Sequence, residues 1–423
     1  MKTRAEAILS WLRTREDEMA TLLLDLVREE SPSLELGAER RGLALIAREL
    51  GRASYRSRIV RGHDCGNHLL AVPRARRRAT PYQLVLGHVD TVWPFGSLMT
   101  MPPRIDHGRL YGPGAYDMKG GLVQLVFALR ALGELGSVPT VSPVVLVNAD
   151  EETGSLDSLR WIRLLARGAD RALVLEPPAG TEGRLKTGRK GVGRFRITVL
   201  GRASHAGTSP EEGMSAILEL ARQVEQLFAL NQPDRGITVN VGTIDGGLRP
   251  NVVAAEATAM IDARAPTPKT ARAVERAIRG LAPTREGLSV KVEGSFARPP
   301  MPRTARNRAL SRRARVLARD LGLAVAEAPV VGGGSDANFT SELTATLDGL
   351  GALGDGAHAL DEHVVLHALP ERAALLALLL LEPAGTAQSN ALFRHSDDRD
   401  RMGVDSDRYA ALRPDDHREV AER

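Results

Sequence analysis

The chain has 423 residues, 43% of them hydrophobic and 26% charged. That balance belongs to a globular protein long enough for two domains, and it excludes fibrous and wholly disordered classes. The formal net charge is +5, but aromatics make up only 4% and arginine is scattered rather than blocked, which argues against a nucleic-acid surface.

Residues 5–50 alternate apolar and charged positions at helical spacing, with a break at Ser31-Pro32-Ser33. Two helices joined by a turn are expected. No long apolar core follows the N-terminal charges, so no secretory signal is expected. Residues 57–72 read as one or two strands. His63, Cys65 and His68 have ligand-type side chains there, but a connection between strands is the simpler reading. Cys65 is the only cysteine, so no internal disulfide forms and a reducing compartment fits.

Residues 82–86 form a buried strand that runs into Gly87-His88-Val89-Asp90-Thr91-Val92. A loop rich in Pro and Gly leads to Ala115-Tyr116-Asp117-Met118-Lys119-Gly120-Gly121, which opens a helix over 122–135. The apolar run 143–147 is another buried strand. It ends in Asn148-Ala149-Asp150-Glu151-Glu152-Thr153-Gly154-Ser155. Three adjacent acids repel one another unless protons or cations hold them together. A helix near 156–167 and a strand over 171–175 follow, the strand ending in Glu176-Pro177-Pro178. Strands alternating with helices argue for an α/β fold with a mostly parallel sheet covered on both faces.

From about residue 191 the pattern changes. A strand over 193–200, a helix over 214–230, strands over 236–244 and 252–264, a helix to 281 and a strand over 288–293 follow. This β-α-β-β-α-β order is a ferredoxin-like α+β unit. Thr267 caps its second helix, with Pro268 at the first position. The α/β pattern then resumes: a helix over 307–321, a strand near 324–328, the turn Gly332-Gly333-Gly334-Ser335-Asp336, a strand over 344–347 and a helix over 370–381. The expected domains are 1–190 and 301–382 for the catalytic part, with 191–300 inserted. The apolar run at 373–381 is too short to span a bilayer. The tail, 383–423, mixes Arg and acids without apolar periodicity and is expected to be disordered.

Ligand-type residues recur where strands end: His88 and Asp90, Glu151 and Glu152, Glu176, and His358 after the Gly-rich turn at 348–356; Asp117 opens a helix. In open parallel sheets the carboxyl ends of strands form the ligand crevice. Two His and several carboxylates without Cys fit zinc or a similar divalent ion, and one carboxylate could bridge two ions. Of the adjacent pair, one acid could bind and the other shuttle a proton; which does which is open at this point.

These blocks, from His88 through Glu176 and on to the turn Gly354-Asp355-Gly356-Ala357-His358-Ala359-Leu360-Asp361-Glu362, resemble the signature blocks of the M20 metallopeptidase family, and within it the glutamate carboxypeptidase (carboxypeptidase G) branch. Acetylornithine deacetylase and succinyl-diaminopimelate desuccinylase are near relatives in that resemblance, which covers about residues 20–382. It implies a parallel-sheet zinc-peptidase catalytic domain with an inserted dimerisation and lid domain. It also implies two Zn2+ per subunit, with Co2+ or Mn2+ as substitutes. His88, Asp117 and Glu176 would hold one ion. Asp117, Glu152 and His358 would hold the other, with His363 as the fallback ligand. Asp90 would orient His88, and Glu151 would be the general base acting on a metal-bridging water. His205, in Gly201-Arg202-Ala203-Ser204-His205, would stabilise the oxyanion in the partner subunit's site. Asn251, Arg264 and the turn at Gly333 would contact the substrate. The resemblance also implies a cis bond at Asp117-Met118.

The expected activity is hydrolysis of an amide bond beside a free carboxylate, most simply release of a C-terminal amino acid such as glutamate. The alternatives are an N-acyl-amino-acid deacylase and a catalytically silent metal-binding scaffold. The expected partners are a small peptide or N-acyl amino acid and a second copy of the chain, with no nucleic acid and no membrane. The expected location is the cytoplasm.

Overall fold

A computed structural model describes residues 3–33 and 35–385. Residues 386–423, which hold nearly all of the segment expected to be disordered, lie outside the described residues. Within them the chain forms two compact units, one built from the N-terminal part through Arg189 with Met301–Val331 and the chain from Ser335 onward, the other from Lys190–Pro300 with Gly332–Gly334.

The first unit begins with α1 (Arg4–Arg13), α2 (Glu16–Arg28) and α3 (Glu39–Arg52). Three helices therefore stand where the periodicity suggested two. The break between α1 and α2 is a short turn at Thr14 and Arg15, with no Gly or Pro to announce it. Next come β1 (Tyr55–Val60), β2 (His68–Pro73), β3 (Tyr82–His88), β4 (Arg104–Asp106), β5 (Arg109–Tyr111), α4 (Gly120–Glu134), β6 (Ser142–Asn148), α5 (Leu159–Gly168), β7 (Arg171–Val174) and β8 (Leu185–Lys186).

The second unit contains β9 (Gly191–Leu200), α6 (Ala216–Phe228), β10 (Thr238–Gly246), β11 (Glu256–Ala265), α7 (Pro268–Arg279) and β12 (Ser289–Arg298). The chain then returns to the first unit with α8 (Ala305–Asp320), β13 (Glu327–Ala328), α9 (Ala337–Leu343), β14 (Ala345–Leu347), β15 (Gly354–Asp355), β16 (His363–Val365) and α10 (Leu369–Leu380).

The main sheet of the first unit has six strands in the order β1-β2-β6-β3-β7-β14. The pairs β3–β6, β3–β7 and β7–β14 are parallel, while β1–β2 and β2–β6 are antiparallel. Every residue of β6 is buried, as an apolar β-branched run with helices on both faces requires. Side chains alternate across the sheet. Val85 and Val145 join a core with α4 and α10, whereas Leu84, Leu86 and Leu146 join Ile162 of α5 and Phe339 of α9 on the other face. At the start of α4 an added Cβ on Gly121 would stand 2.3 Å from the carbonyl oxygen of Leu175. Glycine there lets the helix start against the end of β7.

The second unit has the β-α-β-β-α-β order expected, and its sheet runs β10-β11-β9-β12, all antiparallel. Phe195, Ile197 and Val199 of β9 alternate with more exposed residues and pack with Leu220 of α6 and Ile278 of α7. The Thr267 side chain caps α7, with Pro268 in the first turn. No described helix is long and apolar enough to cross a membrane.

Candidate metal centre

The first unit gathers its ligand-type residues at the carboxyl ends of its central strands. His88 is the last residue of β3, Glu151 and Glu152 follow β6, and Glu176 follows β7. Asp117 stands in the tight turn that leads into α4, where the Asp117–Met118 peptide bond is cis. His358 lies in the turn after β15 with a φ of +62°.

The two oxygens of Asp117 face two imidazoles. Oδ1 lies 3.3 Å from His88 Nε2, and Oδ2 lies 3.6 Å from His358 Nε2. Glu176 Oε1 is 3.6 Å from the same His88 nitrogen, and Glu152 Oε1 is 3.3 Å from His358 Nε2. Glu151 presents an oxygen close to His88 and Glu176, so two groups with ligand atoms within 4.8 Å overlap at His88: one with Glu151 and Glu176, one with Asp117 and Glu152. His363 takes no part in either. Its Nδ1 lies 2.9 Å from the Asp361 carbonyl oxygen, and its ring packs at 5.0 Å from that of Tyr111.

Behind these groups stands a shell of buried polar contacts. His88 Nδ1 lies 2.9 Å from the carbonyl oxygen of Asp90 and 3.4 Å from its Oδ1. The Asp90 carboxylate also accepts from Ser33 Oγ and from the backbone N–H groups of Glu151 and Glu152. Asp150 points the other way: its Oδ2 accepts from the N–H groups of Asp157 and Ser158, framing the turn into α5.

Sequence reasoning gave no role to Arg189 or Glu362. Arg189 is buried, with Nε 2.5 Å from Asp348 Oδ2 and Nη2 3.4 Å from Glu176 Oε2. Glu362 is buried and accepts from four donors around the Asp117 turn. Both roles depend on approaches between distant segments, which local spacing does not encode.

Burial and like charge govern the electrostatics. Burial and the neighbouring Asp117 charge push Glu152 up to about 7. Burial, with Asp117 and Glu151 nearby, raises Glu176 well above the usual carboxylate range. Burial opposes the charge on His88, yet the carboxylates of Asp117 and Asp90 still lift it well above the ordinary histidine value. Asp117 and Glu152 raise His358 to about 10. Burial opposes the charge on Asp117, but its two histidines lower it overall.

This is the pattern of carboxylates crowded for a cation. Glu152 Oε1 is buried, and its contact is the ion pair with His358 Nε2 at 3.3 Å. The donors are imidazole nitrogens and carboxylate oxygens without sulfur, the set that divalent zinc, cobalt and manganese take. The residues present fit such ions.

The loop at 62–66 is held differently. The backbone N–H groups of His63, Asp64 and Cys65 converge on Asp157 Oδ2, and His68 Nδ1 accepts from the Ala149 N–H. It connects β1 to β2.

The other expected site residues belong to the second unit. His205 is exposed, and its Nδ1 accepts from the N–H groups of Gly207 and Thr208, each at 3.1 Å. With Nδ1 accepting, the ring's donor is the Nε2–H. Asn251 lies beside it, its carbonyl oxygen accepting from the Ala206 N–H. The guanidinium of Arg264 forms a fork with Asp262, at 2.6 and 2.8 Å. Gly333 is exposed in the 332–334 turn.

Residues 84–382 match peptidase family M20/M25/M40. The chain is 28% identical over 315 residues to carboxypeptidase G2 of Pseudomonas sp. (strain RS-16), covering 74% of this chain and 76% of that one. It is 30% identical over 312 residues to succinyl-diaminopimelate desuccinylase of Gluconacetobacter diazotrophicus, covering 68% and 77%. Its fold matches a dinuclear metal-binding peptidase of the M20 family from Bacillus subtilis, with a TM-score of 0.62, 15% identity and coverage of 87% and 98%.

Proposed function

The chain belongs to peptidase family M20/M25/M40 and is a hydrolase of that family, and from that premise we propose that it is a two-zinc amidohydrolase releasing a C-terminal amino acid such as glutamate. The observation that carries this is Asp117, whose two oxygens face His88 and His358 separately. A carboxylate with one oxygen toward each of two imidazoles is suited to bridging two ions. In this reading His88, Asp117 and Glu176 would hold one ion and Asp117, Glu152 and His358 would hold the other. When bound, such cations would lower the pKa of a coordinated water to near neutrality.

The remaining steps fall to the chain's own residues. Asp90 orients His88 and fixes its tautomer. Glu151 takes a proton from the attacking water and returns it to the leaving amine as the C–N bond breaks. His205 keeps its proton on Nε2 and so offers a donor to the tetrahedral oxyanion in the partner subunit's site. Arg264, Asn251 and the backbone at Gly333 receive the substrate carboxylate. The Arg264 fork has the geometry for it, with Asp262 as the group to be exchanged.

A carboxypeptidase and a desuccinylase among the relatives both support a substrate with a free carboxylate beside the scissile amide. The desuccinylase also favours a second reading, deacylation of an N-acyl amino acid, by the same residues. The exposed apolar side chains Ile217, Leu218, Ile244 and Leu248 on the inserted unit support pairing of two copies through it. The single unpaired cysteine supports a cytoplasmic location.

The test is to assay the zinc-loaded protein against C-terminal-glutamate peptides and N-acyl amino acids. Release of glutamate supports the first reading, and turnover of acyl amino acids alone supports the second. No turnover of either class overturns both.

A further inference from the structure

Glu362 is 1% exposed and 245 residues from Asp117 in sequence, yet its carboxylate is the hub of the turn that presents Asp117. Oε1 accepts from the backbone N–H groups of Tyr116 and Asp117, each at 3.0 Å. Oε2 accepts from the Gly114 N–H at 2.9 Å and from Trp93 Nε1 at 3.1 Å. Asp117 and Met118 have non-helical backbone angles, so this stretch is not held by a regular helical ladder. Gly114, with φ +70°, enters the left-handed region, and an added Cβ would stand 2.5 Å from Thr91. Backbone N–H groups converging in this way form an anion-binding concavity, here filled by the protein's own carboxylate.

The same residue closes the His358 turn. The Glu362 N–H donates to the Ala359 carbonyl oxygen at 3.0 Å, Ala359 donates to Gly356, and the Glu362 carbonyl oxygen accepts from Gly112 at 3.1 Å. One residue thus fastens the Asp117 turn to the His358 turn, and His358 Nε2 ends 3.6 Å from Asp117 Oδ2.

We propose that Glu362 is a positioning residue that sets the spacing of Asp117 and His358, and through it the affinity of the metal position those two share with Glu152. The inference rests on the two-metal reading above. It bears most on that position, where Glu362 fastens the turns of both Asp117 and His358; the other position shares Asp117 but takes His88 and Glu176 from the ends of β3 and β7. Outer groups of this kind change metal affinity by about 10–100-fold when they are altered. Replacing the carboxylate by an amide keeps its size, but sets an NH2 group against inward-pointing N–H donors and leaves part of the nest unsatisfied.

The experiment is a Zn2+ titration of the metal-free full chain against a chromophoric chelator, with the melting temperature of the metal-free protein measured alongside. Wild type, Glu362→Gln, Glu362→Asp and Glu152→Gln are compared. The expected result is two ions for wild type, and for Glu362→Gln the ion shared by Asp117, Glu152 and His358 weakened by about 10–100-fold and the other weakened less. Glu152→Gln should lose the same, weaker position. Glu362→Asp retains the charge but falls short by one methylene, and should fall between wild type and the amide; it carries the test should Glu362→Gln fail to fold. Two ions of wild-type affinity in the folded Glu362 variants would overturn the positioning role and leave the two-metal reading standing. Equal weakening of both ions would also overturn it. A wild-type chain that takes up fewer than two ions would overturn the two-metal reading and this inference together.

Discussion

The Nδ1 atom of His88 rests 2.9 Å from the backbone carbonyl oxygen of Asp90 and 3.4 Å from its carboxylate, so Asp90 engages the side of the imidazole turned away from Asp117. With an ion bound, an Nδ1–H donated there would leave the Nε2 lone pair for the metal, on the side of Asp117 and Glu176. The same carboxylate accepts the N–H groups of Glu151 and Glu152, so it also sets where that acidic pair begins. Asp90→Asn should lower zinc affinity by about 10–100-fold, as loss of a group orienting a metal-bound histidine does. Competition titration of the metal-free variant checks this.

The protonation state of the metal-free centre gives a pH prediction. His358 is raised from 6.5 to about 10 by the carboxylates of Asp117 and Glu152, and Glu152 from 4.5 to about 7 by burial and by Asp117. Both bind protons more tightly folded than unfolded. Each therefore contributes stability that is fully present below its unfolded value and is lost as pH rises through its folded one. The windows are 6.5 to about 10 for His358 and 4.5 to about 7 for Glu152. Asp117 and Asp90 are lowered, so their contribution is complete above 3.8 and does not change in this range. The melting temperature of the metal-free protein should fall from about pH 5 to about pH 8, above which the buried Lys119 and Lys186, both held at about 8 by burial, oppose the trend. Zinc, which takes the deprotonated forms, should raise it more at the alkaline end. Thermal scans with and without zinc across that range read both slopes.

Arg189 carries the compensating charge for two buried acids, Glu176 and Asp348. Arg189→Met would leave both carboxylates buried without it. Unfolding in urea should show a loss of about 3–5 kcal/mol, the scale for removing one partner of a buried ion pair. Arg189→Met with Asp348→Asn should recover part of that loss, since the second change removes one of the stranded charges.

His205 should act on turnover rather than on binding. Its Nδ1 is committed to the N–H groups of Gly207 and Thr208, leaving Nε2–H as the outward donor. His205→Ala should lower kcat by about 10²–10³-fold with little change in KM, as removal of an oxyanion donor does. Steady-state kinetics on the best substrate separates the two constants.

Much of the architecture was legible because strong local signals coincide with it. The runs at 82–86 and 143–147 are apolar enough to mark central strands, and Thr267-Pro268 announces the start of α7. Weaker signals misled. α9 contains Asn338, Thr340 and Ser341, all buried but polar, so it showed no apolar stripe. The β4–β5 hairpin has three-residue strands in a Pro- and Gly-rich segment. At the centre, residues of ligand type at strand ends pointed to the crevice, because strand ends meet there by topology. Arg189, and the partners of Glu362, were silent for the opposite reason. Arg189 acquires its role by meeting Asp348, 159 residues away, and Glu362 by meeting the Asp117 turn.

The central claim is that the two adjacent acids after β6 divide the work, Glu152 holding metal and Glu151 moving the proton. Glu151 nevertheless lies within ligand distance of His88 and Glu176, so the division has to be measured. The decisive measurement is the zinc content and kcat of Glu151→Gln on the same preparation. The account predicts two bound ions and a kcat reduced by about 10²–10⁴-fold, the usual worth of a general acid–base group. Unchanged turnover, or loss of a zinc ion with this substitution, would contradict it.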